Sequence, residues 1–166
     1  MNKLVVLSGV PGSGKSYFSN KIRELKKDHL YVISSDYLRA LVGGSQSNLN
    51  NEKLVWDIFY SLAKTFALDK NGMVILDATH VNRKLRVDYN IEIAKLFDEV
   101  DLVMWDIPKD VALKQNEERD YPIPLDGMED FFNKFELPNE IDENFFDHII
   151  IIKNKDISPA IKMLGL

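Results

Sequence analysis

The stretch LVVLSGVPGSGKSYFS, residues 4–19, decides the fold. Its apolar start, Leu4–Leu7, ends at glycines and predicts a short buried strand. Apolar residues then recur at helical spacing, which predicts a helix over Ser16–Lys27. Between the two, residues 9–16 fit the pattern G-x-x-x-x-G-K-[ST] at every fixed position. The sequence therefore predicts a strand, a glycine-rich turn and a helix in succession.

The glycine-rich turn is predicted to hold the phosphates of ATP. Glycine lets the backbone curl until several N–H groups point inward, and the helix dipole adds positive potential there. Lys15 is expected to bridge the β- and γ-phosphates, and the Ser16 hydroxyl to ligate Mg²⁺. The residues expected to contact the nucleotide are Gly9, Gly12, Ser13, Gly14, Lys15, Ser16 and Tyr17.

Short apolar runs alternate with helical segments along the chain. This alternation indicates a parallel sheet with helices on both faces. The predicted strands are Leu4–Leu7, Leu30–Ile33, Met73–Leu76, Leu102–Trp105 and Ile149–Ile152. The predicted helices after the first are Asp36–Leu41, a helix from Leu54 to near Gly72, Asn82–Phe97, Lys109–Arg119, Leu125–Phe135 and Ile157–Leu164. We expect one domain, residues 1–166, folded as an α/β three-layer sandwich of the P-loop kinase type, with a five-stranded parallel sheet and a helical lid at about residues 115–135.

The composition narrows the class of protein. The chain has 166 residues, no cysteine and a formal net charge of −5. The absence of cysteine excludes disulfides, thiol catalysis and thiolate zinc sites. The lack of cysteine also suits the cytoplasm, where we expect the protein to be. No apolar run approaches the roughly twenty residues of a membrane span, so we expect no contact with membranes. The acidic charge argues against an extended nucleic-acid footprint, although it leaves room for a small basic channel.

Asp77 stands at the end of the third predicted strand. A carboxylate at the tip of an apolar strand suits a Walker-B role, in which it holds Mg²⁺ directly or through water. An aspartate that caps the next helix is the alternative.

Asp36 and Arg39 follow the second predicted strand, one helical turn apart. The carboxyl edge of a parallel sheet is where ligands bind in such folds. Asp36 can accept the proton of an attacking hydroxyl, and Arg39 can grip a neighbouring phosphate with two N–H groups. Helix capping by Asp36 with a solvated Arg39 is the alternative.

Arg119 precedes a proline-containing break, Tyr121–Pro124, and is the third element of the predicted site. An arginine on a lid can close over the γ-phosphate and stabilise charge in the transition state. It can also face the helix dipole or pair with the acidic residues beside it, Glu117, Glu118 and Asp120. His80 lies close to the site, either as a ligand for a base or phosphate or as a polar turn residue. Arg83 and Arg86 face either the acceptor groove or solvent.

Four segments together resemble the kinase module of the polynucleotide 5′-hydroxyl kinases of phage and bacterial end repair. They are GVPGSGKSYFS at 9–19, SSDYLRALV at 34–42, VILDATHVNRKLR at 74–86 and DIPKDVALKQNEER at 106–119. The resemblance implies a kinase that transfers the γ-phosphate of ATP to the 5′-hydroxyl end of DNA or RNA. It implies roles for Lys15, Asp36, Arg39 and Arg119 in catalysis, and for Ser16 and Asp77 at Mg²⁺.

The chain departs from the family pattern in three places. His80 replaces the usual asparagine, and Gln115 stands where some members carry a second lid arginine. The chain also lacks the D-x-D-x-T signature of two-domain members, so we expect no 3′-phosphatase activity. Two other functions stay open. One is a kinase of a free nucleoside, nucleotide or other small metabolite. The other is a nucleotide-binding regulatory or motor ATPase.

Overall fold

The computed structural model describes all residues, 1–166, and is built on one five-stranded parallel sheet. The strand order is β2-β3-β1-β4-β5, which confirms the predicted α/β fold class. The strands are β1 Lys3–Ser8, β2 Leu30–Ser34, β3 Met73–Asp77, β4 Glu99–Trp105 and β5 His148–Ile152. Each contains its predicted apolar run and extends it by one to three residues, because polar residues at the strand ends also join the ladder.

Nine α-helices connect and cover the strands. They are α1 Lys15–Leu25, α2 Ser35–Gly43, α3 Glu52–Phe66, α4 Arg83–Arg86, α5 Ile91–Ala94, α6 Lys109–Glu117, α7 Leu125–Lys134, α8 Glu140–Phe145 and α9 Ser158–Met163. A 3₁₀ turn at Asp88–Asn90 separates α4 from α5. None of the helices combines the length and the apolar character that crossing a bilayer requires.

The sheet is buried on both faces, as expected for a parallel sheet between helices. Alternate side chains of β1 point to opposite layers, so Leu4 and Val6 join one core cluster while Val5 and Leu7 join the other. The second cluster also contains Phe18 of α1, which fixes the start of that helix against the sheet.

The site lies where the chain changes direction across the sheet. After β1 the chain runs to β2 on one side, and after β3 it crosses to β4 on the other side of β1. A crevice therefore opens at the carboxyl ends of β1 and β3, the position at which ligands bind in open α/β sheets. The backbone N–H of Gly9 donates to the Thr79 carbonyl across this crevice, at 2.8 Å.

The prediction of one continuous helix over Asn82–Phe97 is wrong. The buried Arg86 side chain bonds to Asp142 of α8, with an Nε–Oδ1 distance of 2.8 Å. Asn90, also buried, donates from Nδ2 to the Arg86 carbonyl at 2.8 Å. The Asn90 side chain thereby takes the carbonyl that the Asn90 N–H would bond in a continuous α-helix. That N–H donates to the Val87 carbonyl at 2.9 Å instead, so the α-helix ends after Arg86 and continues as a 3₁₀ turn.

Helix α8 has no counterpart among the predicted helices. It has six residues, which is too few for hydrophobic periodicity to indicate it. A reciprocal cap starts it: the Asn139 side chain accepts from the Asp142 N–H, and the Asn139 N–H donates to Asp142 Oδ2 at 3.1 Å.

Candidate active site

The glycine-rich turn joins β1 to α1 in left-handed backbone conformations. Gly12 has a φ of 79° and Gly14 a φ of 115°. A Cβ at Gly12 would lie 2.6 Å from the Ala112 carbonyl oxygen, so a side chain there would displace α6. Glycine is thus required at position 12 both for its conformation and for the close approach of α6.

Lys15 is buried at the start of α1 and turns back onto the loop. Its Nζ donates to the carbonyls of Gly9 and Val10, both at 2.9 Å, and lies 3.4 Å from the Ser13 hydroxyl. Burial lowers the pKa of Lys15 to about 8, while the charge of Asp77 acts in the opposite direction. The ammonium is therefore mostly charged at neutral pH and provides a fixed positive centre at the loop.

Asp77 ends β3 and is buried beside the first turn of α1. Burial raises its pKa, and the charge of Lys15 together with hydrogen bonds from Ser19 and Ser16 opposes that rise. A bound cation would favour the charged carboxylate that burial penalises. Carboxylate and hydroxyl oxygens are ligands that Mg²⁺ takes, so Ser16 and Asp77 fit a magnesium ion.

Asp36 and Arg39 lie one turn apart near the start of α2, which the Ser34 side chain caps by accepting from the Tyr37 N–H. Arg39 donates from Nη1 to Asp36 Oδ1 at 3.0 Å. Glu52, the first residue of α3, binds the other edge of the guanidinium, with Nε and Nη2 of Arg39 at 3.0 and 2.8 Å from Oε1. The carboxylate of Glu52 thus holds Arg39 in one orientation.

Glu52 is a site residue that sequence reasoning missed. It lies 13 residues after Arg39, on a different helix. The only signal is an acidic residue in the first turn of a helix, which many helices carry for their dipole.

Arg119 reaches from the segment after α6 across the cleft to α2. Its Nη2 donates to Asp36 Oδ2 at 3.1 Å. The alternative pairing with Glu117, Glu118 or Asp120 does not occur. Those side chains are exposed, and the guanidinium bonds to Asp36 across the cleft instead. The two oxygens of Asp36 therefore accept from two different arginines, Arg39 and Arg119.

One cleft of about 860 Å³ brings most of the predicted site residues together. Its wall includes Gly12, Gly14, Lys15, Ser16, Tyr17, Asp36, Arg39, Asp77 and Arg119. Gly9 and Ser13 lie behind this surface, where both accept from the Lys15 ammonium. Apolar side chains also line this cleft, among them Leu49, Trp56, Tyr121, Ile123 and Phe131.

His80 is buried and does not line the cleft. Its Nδ1 donates to the Leu7 carbonyl at 2.7 Å, its Nε2 has no partner, and its φ is +38°. Burial lowers the pKa of His80 to about 4. Of the two roles that the sequence left open, the geometry supports the turn residue. Asparagine is also enriched at positive φ, so the backbone at this position would accept it.

A second cluster of titratable residues lies at the opposite end of the sheet, where β1, β4 and β5 begin. The ligand atoms of Glu99, Asp101 and His148 lie within 4.8 Å of one another. The Lys3 ammonium lies among them, 2.8 Å from Glu99 and 3.5 Å from Asp101. The lysine thus supplies the positive charge that a metal ion would supply. The cluster is a network of ion pairs at this end of the sheet.

The chain is similar to two curated proteins. It is 25% identical over 147 residues to protein kti12 of Schizosaccharomyces pombe, covering 82% of this chain and 52% of that protein. It is 28% identical over 140 residues to L-seryl-tRNA(Sec) kinase of Methanococcus maripaludis, covering 81% of this chain and 53% of that protein. The chain therefore spans about half the length of the curated relatives it matches.

Solved structures share the fold at low identity. Kti12 of Chaetomium thermophilum in complex with ADP-AlF3 superposes with a TM-score of 0.71 at 18% identity, covering 96% of this chain and 94% of that one. A chain of the Pnkp1/Rnl/Hen1 RNA repair complex gives a TM-score of 0.71 at 20% identity, covering 88% of this chain and 46% of that one. A family model described as an AAA domain matches residues 4–138, most of the sequence, and the chain therefore belongs to this AAA domain family (AAA_33).

Proposed function

We propose that the chain is an ATP-dependent kinase that transfers the γ-phosphate to a hydroxyl group, with Asp36 as the general base. The observation that carries this proposal is a single cleft with a phosphate-binding end and a carboxylate end, joined by Arg119. A relative named as a kinase and a fold shared with a protein bound to ADP-AlF3 support it.

The donor half uses the glycine-rich turn, whose backbone N–H groups and helix dipole favour phosphate oxygens. Lys15 offsets the negative charge of the β- and γ-phosphates. Ser16 and Asp77 would hold Mg²⁺, which supplies further charge neutralisation when bound. The segment at about residues 115–135 is the lid in this proposal, and its Arg119 stabilises charge on the phosphoryl group in transit.

The reaction follows from the position of Asp36. The acceptor hydroxyl oxygen attacks the γ-phosphorus, and its proton passes to the Asp36 carboxylate. A new P–O bond forms as the bond to the β-phosphate oxygen breaks, and that oxygen leaves with ADP. Asp36 is half-exposed at 41%, so an incoming hydroxyl has access to it.

For the acceptor we propose the 5′-hydroxyl end of a polynucleotide. Arginine has five N–H donors, of which Glu52 takes one on Nε and one on Nη2, and Asp36 takes one on Nη1. The second donor on Nη2 is free, and the second donor on Nη1 makes only a long contact to the Ser35 hydroxyl, at 3.5 Å, so these two donors can turn to the phosphate next to the reacting hydroxyl. Trp56 and Leu49 line the same part of the cleft and suit an apolar base or sugar face.

A second acceptor class is favoured by the charges around Arg39. Glu52 and Glu118 line the acceptor half together with Asp36, and Arg39 already contacts two of these three carboxylates. An acceptor hydroxyl without a neighbouring phosphate suits this acidic surface better than an anionic one. A small metabolite or an aminoacyl group such as the seryl group named in one relative belongs to this class.

The experiment that separates the two classes compares acceptors under labelled ATP. Nucleoside, nucleoside 3′-monophosphate and 5′-hydroxyl oligonucleotide are offered to the wild type and to Arg39→Ala. A charged two-pronged contact predicts a kcat/KM about 10²-fold higher for the 3′-monophosphate than for the nucleoside, and loss of that preference in Arg39→Ala.

Arg83→Ala is the matched control, because Arg83 pairs with Asp88 and does not line the cleft. It should keep the preference of the wild type. Equal use of nucleoside and 3′-monophosphate by the wild type would reject the polynucleotide acceptor in favour of the phosphate-free class.

A further inference from the structure

The turn that carries Arg119 is held by one buried amide. Helix α6 ends at Glu117, and the chain returns to Ile123 before α7 begins. Asn116 is only 4% exposed. Its Nδ2 donates to the Ile123 carbonyl at 2.8 Å, and its Oδ1 accepts from the Ile123 N–H at 3.0 Å. The side chain thereby closes the loop of residues 117–122 at its base.

Apart from Asp36, which accepts from Arg119, no other residue ties down this turn by hydrogen bonds. The N–H groups of Glu118 and Arg119 both donate to the Asn116 carbonyl. Apart from the Arg119 contact with Asp36, every hydrogen bond of residues 118–123 involves Asn116. The remaining side chains of the turn, at 117, 118 and 120–122, are exposed.

Asn116 also contacts the phosphate loop through its backbone. A Cβ at Gly12 would lie 2.8 Å from the Asn116 nitrogen, so the glycine turn rests directly against this end of α6. The base of the Arg119 turn is therefore fixed relative to the loop that holds Lys15, with no flexible side chain between them.

We propose that Asn116 is a positioning residue for Arg119, which it holds over the cleft by clamping the turn to Ile123. The proposal rests on the kinase function proposed above. A buried amide offers no packing that leucine would not supply, and leaving its groups unpaired is costly. What the amide adds is the pair of bonds to Ile123, and the only cleft-facing cation on the clamped turn is Arg119.

A double-mutant cycle tests the proposal. Asn116→Ala should lower kcat for phosphate transfer about tenfold and change the KM for ATP little, and Arg119→Ala should lower kcat by at least about 10²-fold. The double variant should be no slower than Arg119→Ala within a factor of about two, because Asn116 acts through Arg119. If the kcat reductions of Asn116→Ala and Arg119→Ala multiply in the double variant, the proposal is overturned.

Asn90→Ala is the matched control. Asn90 is a buried asparagine whose Nδ2 donates to two carbonyls, those of Leu85 and Arg86, and none of these three residues lines the cleft. Asn90→Ala should lower the unfolding free energy and leave kcat near the wild-type value. Its small effect on kcat should be the same factor in the wild type and in Arg119→Ala, so that the two effects multiply. A drop in kcat in Asn90→Ala equal to that in Asn116→Ala would also overturn the proposal.

A second measurement does not depend on the acceptor. Trypsin cleavage after Arg119 in the full chain reports how firmly the turn is held, and Asn116→Ala should be cleaved at this bond about tenfold faster than wild type and Asn90→Ala. Equal rates would overturn the proposal even if no acceptor is phosphorylated. If Asn116→Ala does not fold, Asn116→Asp, which keeps the acceptor for the Ile123 N–H, takes its place in both measurements.

Discussion

Replacing His80 by asparagine should make the protein more resistant to acid. His80 is buried, its Nδ1 donates to the Leu7 carbonyl, and the unpaired Nε2 is the atom that a second proton would occupy. Asparagine accepts the positive φ of this position, and its Nδ2 can take over the bond to Leu7. The substitution therefore removes the titrating ring and keeps the turn.

The magnitude follows from the pKa of the buried ring. Burial lowers it from 6.5 to about 4, so between these values the unfolded chain binds a proton that the folded chain does not. The contribution of neutral His80 to the free energy of unfolding is therefore fully present above pH 6.5 and is lost as the pH falls toward 4. Linkage gives a loss of about 2 kcal/mol between pH 8 and pH 5, and about 3 kcal/mol by pH 4.

Urea unfolding at pH 8 and pH 5 measures this effect directly. The free energy of unfolding should fall between the two pH values by about 2 kcal/mol less in His80→Asn than in wild type. His29→Asn is the matched control, because His29 also has a positive φ but an exposed ring. His29→Asn should keep most of the wild-type fall in unfolding free energy between pH 8 and pH 5. An identical pH dependence in wild type and His80→Asn would refute the argument.

Three further predictions follow from the site and its supports. Lys15→Ala should reduce phosphate transfer by at least about 10²-fold while circular dichroism shows an intact fold, and retention of a tenth of the activity would reject the phosphate-loop assignment. Arg86→Met should cost about 3–5 kcal/mol in urea unfolding, because it leaves the buried carboxylate of Asp142 unpaired. Part of that loss should return in Arg86→Met/Asp142→Leu, which removes the unpaired charge but also the acceptor that caps α8. A double variant as unstable as the single one would contradict this cause. Glu52→Gln should raise the acceptor KM about tenfold and leave the KM for ATP unchanged, because it loosens Arg39 alone; steady-state kinetics with each substrate varied in turn distinguish this from a general loss of activity.

The parts of the fold that the sequence predicted are those with local causes. Apolar runs bounded by glycine or polar residues predicted all five strands, because the strands of a buried parallel sheet are nearly uniform in hydrophobicity. The phosphate loop was found because its spacing is a property of consecutive residues. The end of β3 at Asp77 followed from the same reasoning and lies in the cleft with Lys15.

The parts that it did not predict depend on residues far apart in the chain. The pairing of Arg119 with Asp36 spans 83 positions, and that of Arg86 with Asp142 spans 56. No periodicity encodes such contacts. The helix break after Arg86 is a different case, because hydrophobic spacing favoured one helix and the Asn90 side chain took the Arg86 carbonyl that the helix ladder needs. The inward orientation of His80 depends on a positive φ that its neighbours in sequence do not reveal.

The central claim is that this chain moves phosphate to a hydroxyl activated by Asp36, and Asp36→Asn tests it most directly. The amide keeps the shape of the side chain but cannot accept the proton. With labelled ATP and a 5′-hydroxyl oligonucleotide, kcat should fall by about 10²–10⁴-fold while the dissociation constant for ATP stays within a factor of about three. Transfer at the wild-type rate, or loss of ATP binding with kcat preserved, would contradict the account, and the second result would assign Asp36 to the metal site instead.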